Sequence, residues 1–290
     1  MLEDRIAIVT GAGAGLGRSH AMCLARHGAL VVVNDVAFEA ADAVAEEIRG
    51  SGGRAIGVAA SVTDEVQVKA LVEQVVNTWG KIDILINNAG ILRDKTFSKM
   101  SLADFRSVLE VHLMGSVICT HAVWDLMRDQ RYGRIVMTTS SSGLFGNFGQ
   151  SNYSAAKMAV VGLMQTLALE GEKYDIRVNA LAPTAATQMT GGVLPAEILR
   201  YFDPSCVSPG LVALVGPDAP TRTILCAGAG HFSQAHISLT QGCWIGAGEG
   251  SAQQIADSMA DIGNPDKSVV PAYGFDQFER ELASARAQTS

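Results

Sequence analysis

The sequence predicts an α/β fold built on a doubly wound parallel sheet, and three observations predict it. Short apolar runs alternate with longer segments of helical periodicity from the N-terminus to about residue 190. A glycine cluster, Gly11 to Gly17, follows the first apolar run directly. Residues able to bind or react recur just past the ends of the apolar runs, at Asp35, Asn88, Ser140 and Pro183. Alternation at this spacing makes βαβ units with right-handed crossovers, and such sheets collect ligands at the carboxyl ends of their strands.

The elements follow in order. Arg5 to Thr10 (RIAIVT) is a buried parallel strand that stops at the glycines. Gly11, Gly15, Leu16 and Gly17 form a GxxxGxG turn, which does not fit the stricter GxGxxG spacing but meets the same demand. Glycines let backbone approach a pyrophosphate, and the helix that follows, Arg18 to His27, offers N–H donors and positive potential at its start. A plain strand-to-helix connection is the alternative. Arg18 is a candidate phosphate partner. Leu30 to Asn34 is the second strand and ends at Asp35, whose carboxylate either accepts from the hydroxyls of an adenosine ribose or caps the next helix. With no basic residue following it, Asp35 favours NAD over NADP.

Strand Arg54 to Ala60 leads to Ser61 and Val62, beside an expected adenine pocket, then to helix Asp64 to Trp79 and strand Ile82 to Ile86. In Asn87-Asn88-Ala89-Gly90 the small residues suit close packing on a cofactor ribose, whereas the Asn side chains suit ties between strands. One long helix, from about Ser101 to Arg131, contains His112. Strand Gly133 to Thr139 then delivers Ser140, and strand Ile176 to Leu181 ends at Ala182-Pro183-Thr184.

Tyr153 and Lys157 stand four apart in a stretch (NYSAAKMAVVGLMQTLALE) that reads as helix, so they share one face, with Ser140 thirteen residues ahead of the Tyr. A phenol is a poor base at neutrality because its ordinary pKa is near ~10. A cation one turn away is expected to pull that value down, which makes proton transfer to or from an alcohol oxygen feasible. Ser140 can hold the same oxygen by a hydrogen bond.

Composition narrows the classes. The chain has 290 residues, 48% hydrophobic and 18% charged, enough for a sizeable core and against disorder. Its net charge of −7 without a basic run argues against nucleic acid as a partner. Cys23, Cys119, Cys206, Cys226 and Cys243 are scattered and lack a CxxC pair, which reads as reduced thiols in a cytoplasmic protein with no metal site. No signal peptide and no apolar run of ~20 residues for a membrane span are expected.

TGAGAGLG, NNAG, the Ser140–Tyr153–Lys157 spacing and RVNALAP together resemble the short-chain dehydrogenase/reductase family, over about Arg5 to Thr190. Further stretches, NNAGILRDKTFSKMS, VHLMG and YGRIVMTTSSSGLFGNFGQSNYSAAK, are similar to its (3R)-hydroxyacyl-CoA dehydrogenase branch, found in peroxisomal multifunctional enzymes. The resemblance implies a Rossmann fold, NAD as cofactor and oxidation of a (3R)-hydroxyacyl-CoA to the 3-oxoacyl-CoA. It implies Tyr153 as acid/base, Lys157 as its partner and nicotinamide-ribose ligand, Ser140 on the substrate oxygen, and Thr187 on the nicotinamide amide. Gly11, Gly15, Leu16, Gly17, Asp35, Ser61, Val62, Asn88, Ala89, Gly90 and Pro183 complete the expected cofactor site. Most of the wider family has Asn where His112 stands, and here His112 either relays a proton or only packs.

The expected organisation is one Rossmann-type domain, 1–245, with a C-terminal extension, 246–290, that either lids the substrate site or covers a subunit surface. Two short strands around a glycine turn are expected in ILCAGAGHFSQAHISLTQG, and a final helix over Gly274 to Ala287. Apolar residues over more than one face of the helices around His112 and Tyr153 predict a homodimer or homotetramer. Reduction of 3-oxoacyl-[acyl-carrier-protein], a steroid or other secondary alcohol as substrate, and a non-catalytic NAD-binding scaffold are the other readings.

Overall fold

The computed structural model describes residues 1–186 and 195–288. The chain divides into two compact units, Met1–Gln234 and Ala235–Ser290.

The first unit carries the sheet. Its strands are β1 (Ile6–Val9), β2 (Leu30–Asp35), β3 (Arg54–Ala59), β4 (Ile84–Asn87), β5 (Gly133–Thr138), β6 (Ile176–Thr184), β7 (Ile224–Gly228) and β8 (His231–Ala235). They lie in the order β3-β2-β1-β4-β5-β6-β7-β8, and every pair from β3 to β7 is parallel. The chain builds outward from β1 in one direction and then restarts at β4 in the other. This leaves a crevice at the carboxyl ends of β1 and β4, where the connections diverge.

The apolar runs become strands because both faces are covered, so no polar alternation is needed. β1, β4 and β5 are buried along their whole length. On one face α1 (Gly15–Arg26), α2 (Phe38–Gly50) and α9 (Ser208–Val215) close a core through Leu24, Val44, Ile48, Leu211 and Val215. Ile84 and Ile86 belong to that cluster and Leu85 does not, as the two-residue period of a strand requires. The other face is covered by α3 (Glu65–Trp79), α4 (Leu102–Leu109), α5 (Gly115–Gln130) and α7 (Ser151–Gly171), which pack on β4, β5, β6 or on one another. Two short helices, α6 (Ser141–Phe145) and α8 (Ala196–Leu199), lie in the connections that flank α7 and β6.

Three boundaries differ from the expected ones for physical reasons. Helix α1 begins at Gly15 rather than Arg18, because the glycine turn itself supplies the first helical turn. Strand β6 runs on to Thr184 and includes Pro183, paired with Ala227 of β7. The long helix expected from Ser101 to Arg131 is interrupted by a π-helical turn, Glu110–Met114, with His112 at its centre. The run Leu102–Gln130 is long enough, and one 18-residue window of it apolar enough, to cross a membrane by length and composition. In the structure it packs against the sheet, α3 and α7, as a core helix does.

The second unit has one antiparallel bridge, Leu239 to Val269, and the helices α10 (Ser251–Asp257), α11 (Met259–Ile262) and α12 (Phe275–Arg286). Thr240 ties it internally, donating to the Ile262 carbonyl at 2.7 Å and accepting from Arg280 at 2.8 Å. None of its described residues is buried, so it lacks a core of its own.

Candidate active site

A cleft of about 610 Å³ opens at the carboxyl ends of the strands. Gly11, Gly15, Leu16, Gly17, Asp35, Ser61, Val62, Asn88, Ala89, Gly90, His112, Ser140, Tyr153, Lys157 and Pro183 all line it. Thr187 lies outside the described residues.

The glycine turn is shaped by close approach. Gly11 and Gly15 have φ of +60° and +54°, the left-handed region that favours glycine. A Cβ on Gly17 would stand 2.2 Å from the Gly11 carbonyl oxygen, so only glycine lets α1 start so near the end of β1. Asn88 fastens the turn from the other side, donating to the carbonyls of Thr10 and Gly11 at 2.9 and 3.1 Å. Its side chain is a strand tie. Thr10 completes the knot, its hydroxyl accepting from the N–H groups of Asn88 and Ala89.

Ala14 at the capping position of α1 offers no side-chain cap, so the helix's first N–H groups stay available to an anion. Asp35 accepts from the Gly13 N–H at 3.0 Å and from the Ala37 N–H at 3.3 Å. It is not the cap of α2, whose capping position is Ala37. Arg18 does not serve the cleft: it is paired with Glu47 of α2, beside a separate hollow. An uncapped helix start, a glycine cradle that a Cβ would fill and a carboxylate at the end of β2 together fit a dinucleotide. Ser61 and Val62 line the same end, Ser61 sharing a hydrogen bond with Thr63 at 2.9 Å.

The reactive end is built from α7 and its surroundings. Lys157 is buried, donates from Nζ to the Thr138 carbonyl at 2.6 Å, and sits 5.6 Å from the centroid of the Tyr153 ring. Thr139 Oγ1 donates to the Lys157 carbonyl at 2.6 Å and locks that turn of α7 onto the end of β5. Ser140 caps α6, its Oγ accepting the Ser142 N–H at 3.2 Å. That leaves the hydroxyl proton to donate toward the Tyr153 phenol oxygen, on the cleft side.

The charge balance differs from the expected one. Burial pushes the Tyr153 phenol above its ordinary value, the Ser140 hydrogen bond pulls the other way, and Asp94 adds to the rise. The spacing alone has the Lys157 cation pulling the phenol down, yet burial holds the Lys157 ammonium itself to about 7. Desolvation outweighs the neighbouring cation because both groups have left water together.

His112 is buried with its ring 5.2 Å from that of Tyr153 and perpendicular to it. Its Nε2 lies 2.8 Å from the carbonyl of Ile91 and 3.1 Å from its N–H. A neutral ring satisfies one of these at a time, and the tautomer decides which. Nδ1 is buried without a partner among the described residues. Burial, then the nearby Lys157 charge, brings the imidazole down to about 3, so it is neutral. Gly90 makes room for it: a Cβ there would meet the ring at 2.3 Å. Packing and a backbone clamp on Ile91 are what the geometry gives His112.

The sequence reading missed several residues in the same cleft: Asp94, Thr138, Ser142, Asn147 and Gln150. Gln150 accepts from Ser142 Oγ at 2.8 Å and Asn147 Nδ2 at 3.0 Å, and donates to Asp94 Oδ2 at 2.6 Å. The available signal was a Gln three residues before Tyr153, at a helix start where Ser, Thr, Asp or Asn is the usual cap. Thr138 acts through its carbonyl, which leaves no side-chain signal. Among the described residues no group of three or more His, Cys, Asp or Glu could hold a metal.

A short chain dehydrogenase family model matches residues 5–197. Peroxisomal multifunctional enzyme type 2 of Mus musculus is 48% identical over 217 residues, 71% of this chain and 29% of that protein. The structure of full-length peroxisomal multifunctional enzyme type 2 from Drosophila melanogaster superposes with a TM-score of 0.83 at 33% identity, over 99% of this chain and 50% of that one. A 7α-hydroxysteroid dehydrogenase in complex with NADH and 7-oxo glycochenodeoxycholic acid superposes with a TM-score of 0.74 at 32% identity, over 79% of this chain and 94% of that one. The chain thus spans under a third of the mouse enzyme and half of the Drosophila chain.

Proposed function

Because this chain belongs to the short-chain dehydrogenase/reductase family, as the match over residues 5–197 shows, we propose that it interconverts a secondary alcohol and a ketone with NAD, its substrate being a (3R)-hydroxyacyl-CoA. The observation that carries the reading is the convergence of Ser140, Tyr153 and Lys157 with Asp35 and the glycine turn on one cleft. NAD is favoured because the Asp35 carboxylate faces the cleft where a 2′-phosphate would need a cation. The similarity to multifunctional enzymes supports a CoA thioester, and the hydroxysteroid dehydrogenase complex supports NAD with a bulky secondary alcohol.

The glycine turn, Asp35 and Lys157 would hold a nicotinamide dinucleotide, which would supply the hydride chemistry when bound. The protein's share is position and protons. Ser140 donates its hydroxyl hydrogen bond to the substrate oxygen, which lies between it and Tyr153. Tyr153 takes the hydroxyl proton in oxidation and returns it in reduction. Lys157, fastened to Thr138, holds positive charge beside the phenol in its protonated form and stabilises the phenolate. His112 fixes the Ile91 backbone beside that ring.

Assays of 3-hydroxyacyl-CoA thioesters of graded length and bulk, each with NAD and NADP, test the reading. Turnover of a thioester with NAD is the expected result; turnover confined to free alcohols or sterols overturns the acyl-CoA part. A homo-oligomer belongs to the same proposal, since Val117, Ile118, Trp124, Leu163 and Leu167 stay half-buried and Met158 and Leu169 exposed on α5 and α7.

A further inference from the structure

The loop after β4 and the start of α7 are joined at several points. Lys95 N–H donates to the Gly149 carbonyl at 2.9 Å, Asn152 Nδ2 to the Arg93 carbonyl at 3.0 Å, and Gln150 Nε2 to Asp94 Oδ2 at 2.6 Å. Gln150 extends the connection inward, because its Oε1 also receives Ser142 Oγ, and the Ser142 N–H donates to Ser140 Oγ. A continuous chain of hydrogen bonds therefore runs from Asp94 through Gln150 and Ser142 to Ser140. We propose that Asp94 and Gln150 form a positioning latch, which fastens the loop after β4 to the first turn of α7 and thereby sets Tyr153 and Ser140 in register for the alcohol reaction. The inference rests on the dehydrogenase reading above.

The chemistry of the side chains fits the role. Glutamine carries a donor end and an acceptor end on one planar amide, so it can give to a carboxylate while receiving a hydroxyl. Its side chain is not spent on capping, since α7 begins without a side-chain cap. The segment it must restrain is pliable by composition: Gly146 and Gly149 have φ of +79° and +80° and bracket Asn147-Phe148. Without a tie, the approach to Tyr153 would be the loosest part of the site. The flanking cations do not compete for Asp94, because Arg93 and Lys95 both turn to Asp104.

Asp94 also brings a charge to this side of the cleft. Tyr153 faces Lys157 on its own helix, neutral His112 on the π turn and Asp94 on the loop, while the Ser140–Ser142 side offers hydroxyls only. A carboxylate there disfavours the phenolate, so removing its charge eases deprotonation of Tyr153.

The test compares Gln150→Ala, Gln150→Glu, Asp94→Asn and the double variant Asp94→Asn/Gln150→Glu in steady-state alcohol oxidation, with hydrogen exchange followed at the Lys95 amide. Gln150→Ala should lower kcat by roughly tenfold or more, since misplacement of reacting groups is costly. NAD dissociation should stay near the wild-type value, and protection of the Lys95 amide should fall. Gln150→Glu opposes two carboxylates and should be slower still. In the double variant the amide introduced at position 94 donates to the carboxylate introduced at position 150, so the rate should recover about tenfold over Gln150→Glu alone. Asp94→Asn should move the acid limb of kcat/KM down by about a few tenths of a pH unit, a small shift because Asp94 is exposed and screened. An unchanged kcat in Gln150→Ala, or a double variant no faster than Gln150→Glu, overturns the latch. If Gln150→Ala does not fold, the Gln150→Glu pair decides alone. Wild-type inactivity on every alcohol with both cofactors overturns the dehydrogenase reading instead, and the exchange measurement still reads the latch.

Discussion

At the scale of single residues, the proposed proton chemistry rests on one phenol oxygen. Tyr153→Phe keeps the ring that packs on His112 and removes the oxygen proposed to move the proton, so turnover should fall by at least about 10³-fold while NAD binding stays near normal. Stopped-flow kinetics with fluorescence titration of NADH measure both; retention of a few per cent of the rate would refute the assignment. The raised phenol pKa adds a direction. Tyr153 is protonated at neutrality, ready to donate in ketone reduction, so alcohol oxidation should accelerate as pH rises above 7. Asp35 makes the second residue-scale prediction. Asp35→Arg removes the carboxylate and offers a cation to a 2′-phosphate, and the ratio of kcat/KM for NADP to that for NAD should rise by about 10²-fold or more. An unmoved ratio would leave Asp35 with its hydrogen bonds to Gly13 and Ala37 as its role.

At the scale of elements, the informative feature is the π turn Glu110–Met114. An extra residue in a helical turn costs stability and persists where it places a side chain usefully. Here it carries His112 inward, over Gly90 and onto the Ile91 backbone. Asn also offers a donor and an acceptor, whereas Leu offers neither. His112→Asn should keep much of the turnover, and His112→Leu, which leaves the Ile91 groups unpaired, should lower kcat about tenfold or more. Equal rates for the two variants would reduce His112 to packing alone.

At the scale of the whole molecule, two buried histidines contribute to the response to acid. His20, bonded to Ser208 Oγ at 2.9 Å, and His112 both fall to about 3 through burial. In the unfolded chain each would titrate at an ordinary value near ~6.5, so between that pH and about 3 the unfolded state binds the extra protons. The stability these two histidines contribute is therefore whole above pH ~6.5 and declines as pH falls, each removing up to about 1.4 kcal/mol per pH unit. Urea midpoints at pH 7 and pH 5 measure the slope, and His112→Asn should flatten it; an equal slope in that variant would rule His112 out. Light scattering at micromolar concentration should give a dimer or tetramer mass, since the half-buried faces of α5 and α7 need cover. A monomer would show that they tolerate water.

By itself the amino-acid sequence determined the strands and their direction. Apolar runs such as IAIV and LVVV, separated by helix-length segments, suit only a sheet covered on both faces. It also determined the reactive pairing, because four residues along a helix put Tyr153 beside Lys157 whatever surrounds them. The glycine turn and Asp35 were equally legible, since close approach and a strand-end carboxylate are local demands. Tertiary structure alone decided what depends on partners distant in the chain. The π turn carries His112, which meets Ile91 21 positions away. The Asn88 side chain became a tie between strands once β1 lay beside β4, and the residue still lines the cleft. Asp94 and Gln150 meet across 56 positions, and nothing in either neighbourhood announces the other. The protonation balance of Tyr153 and Lys157 was decided there too, because desolvation belongs to the packed molecule and not to the spacing of two letters.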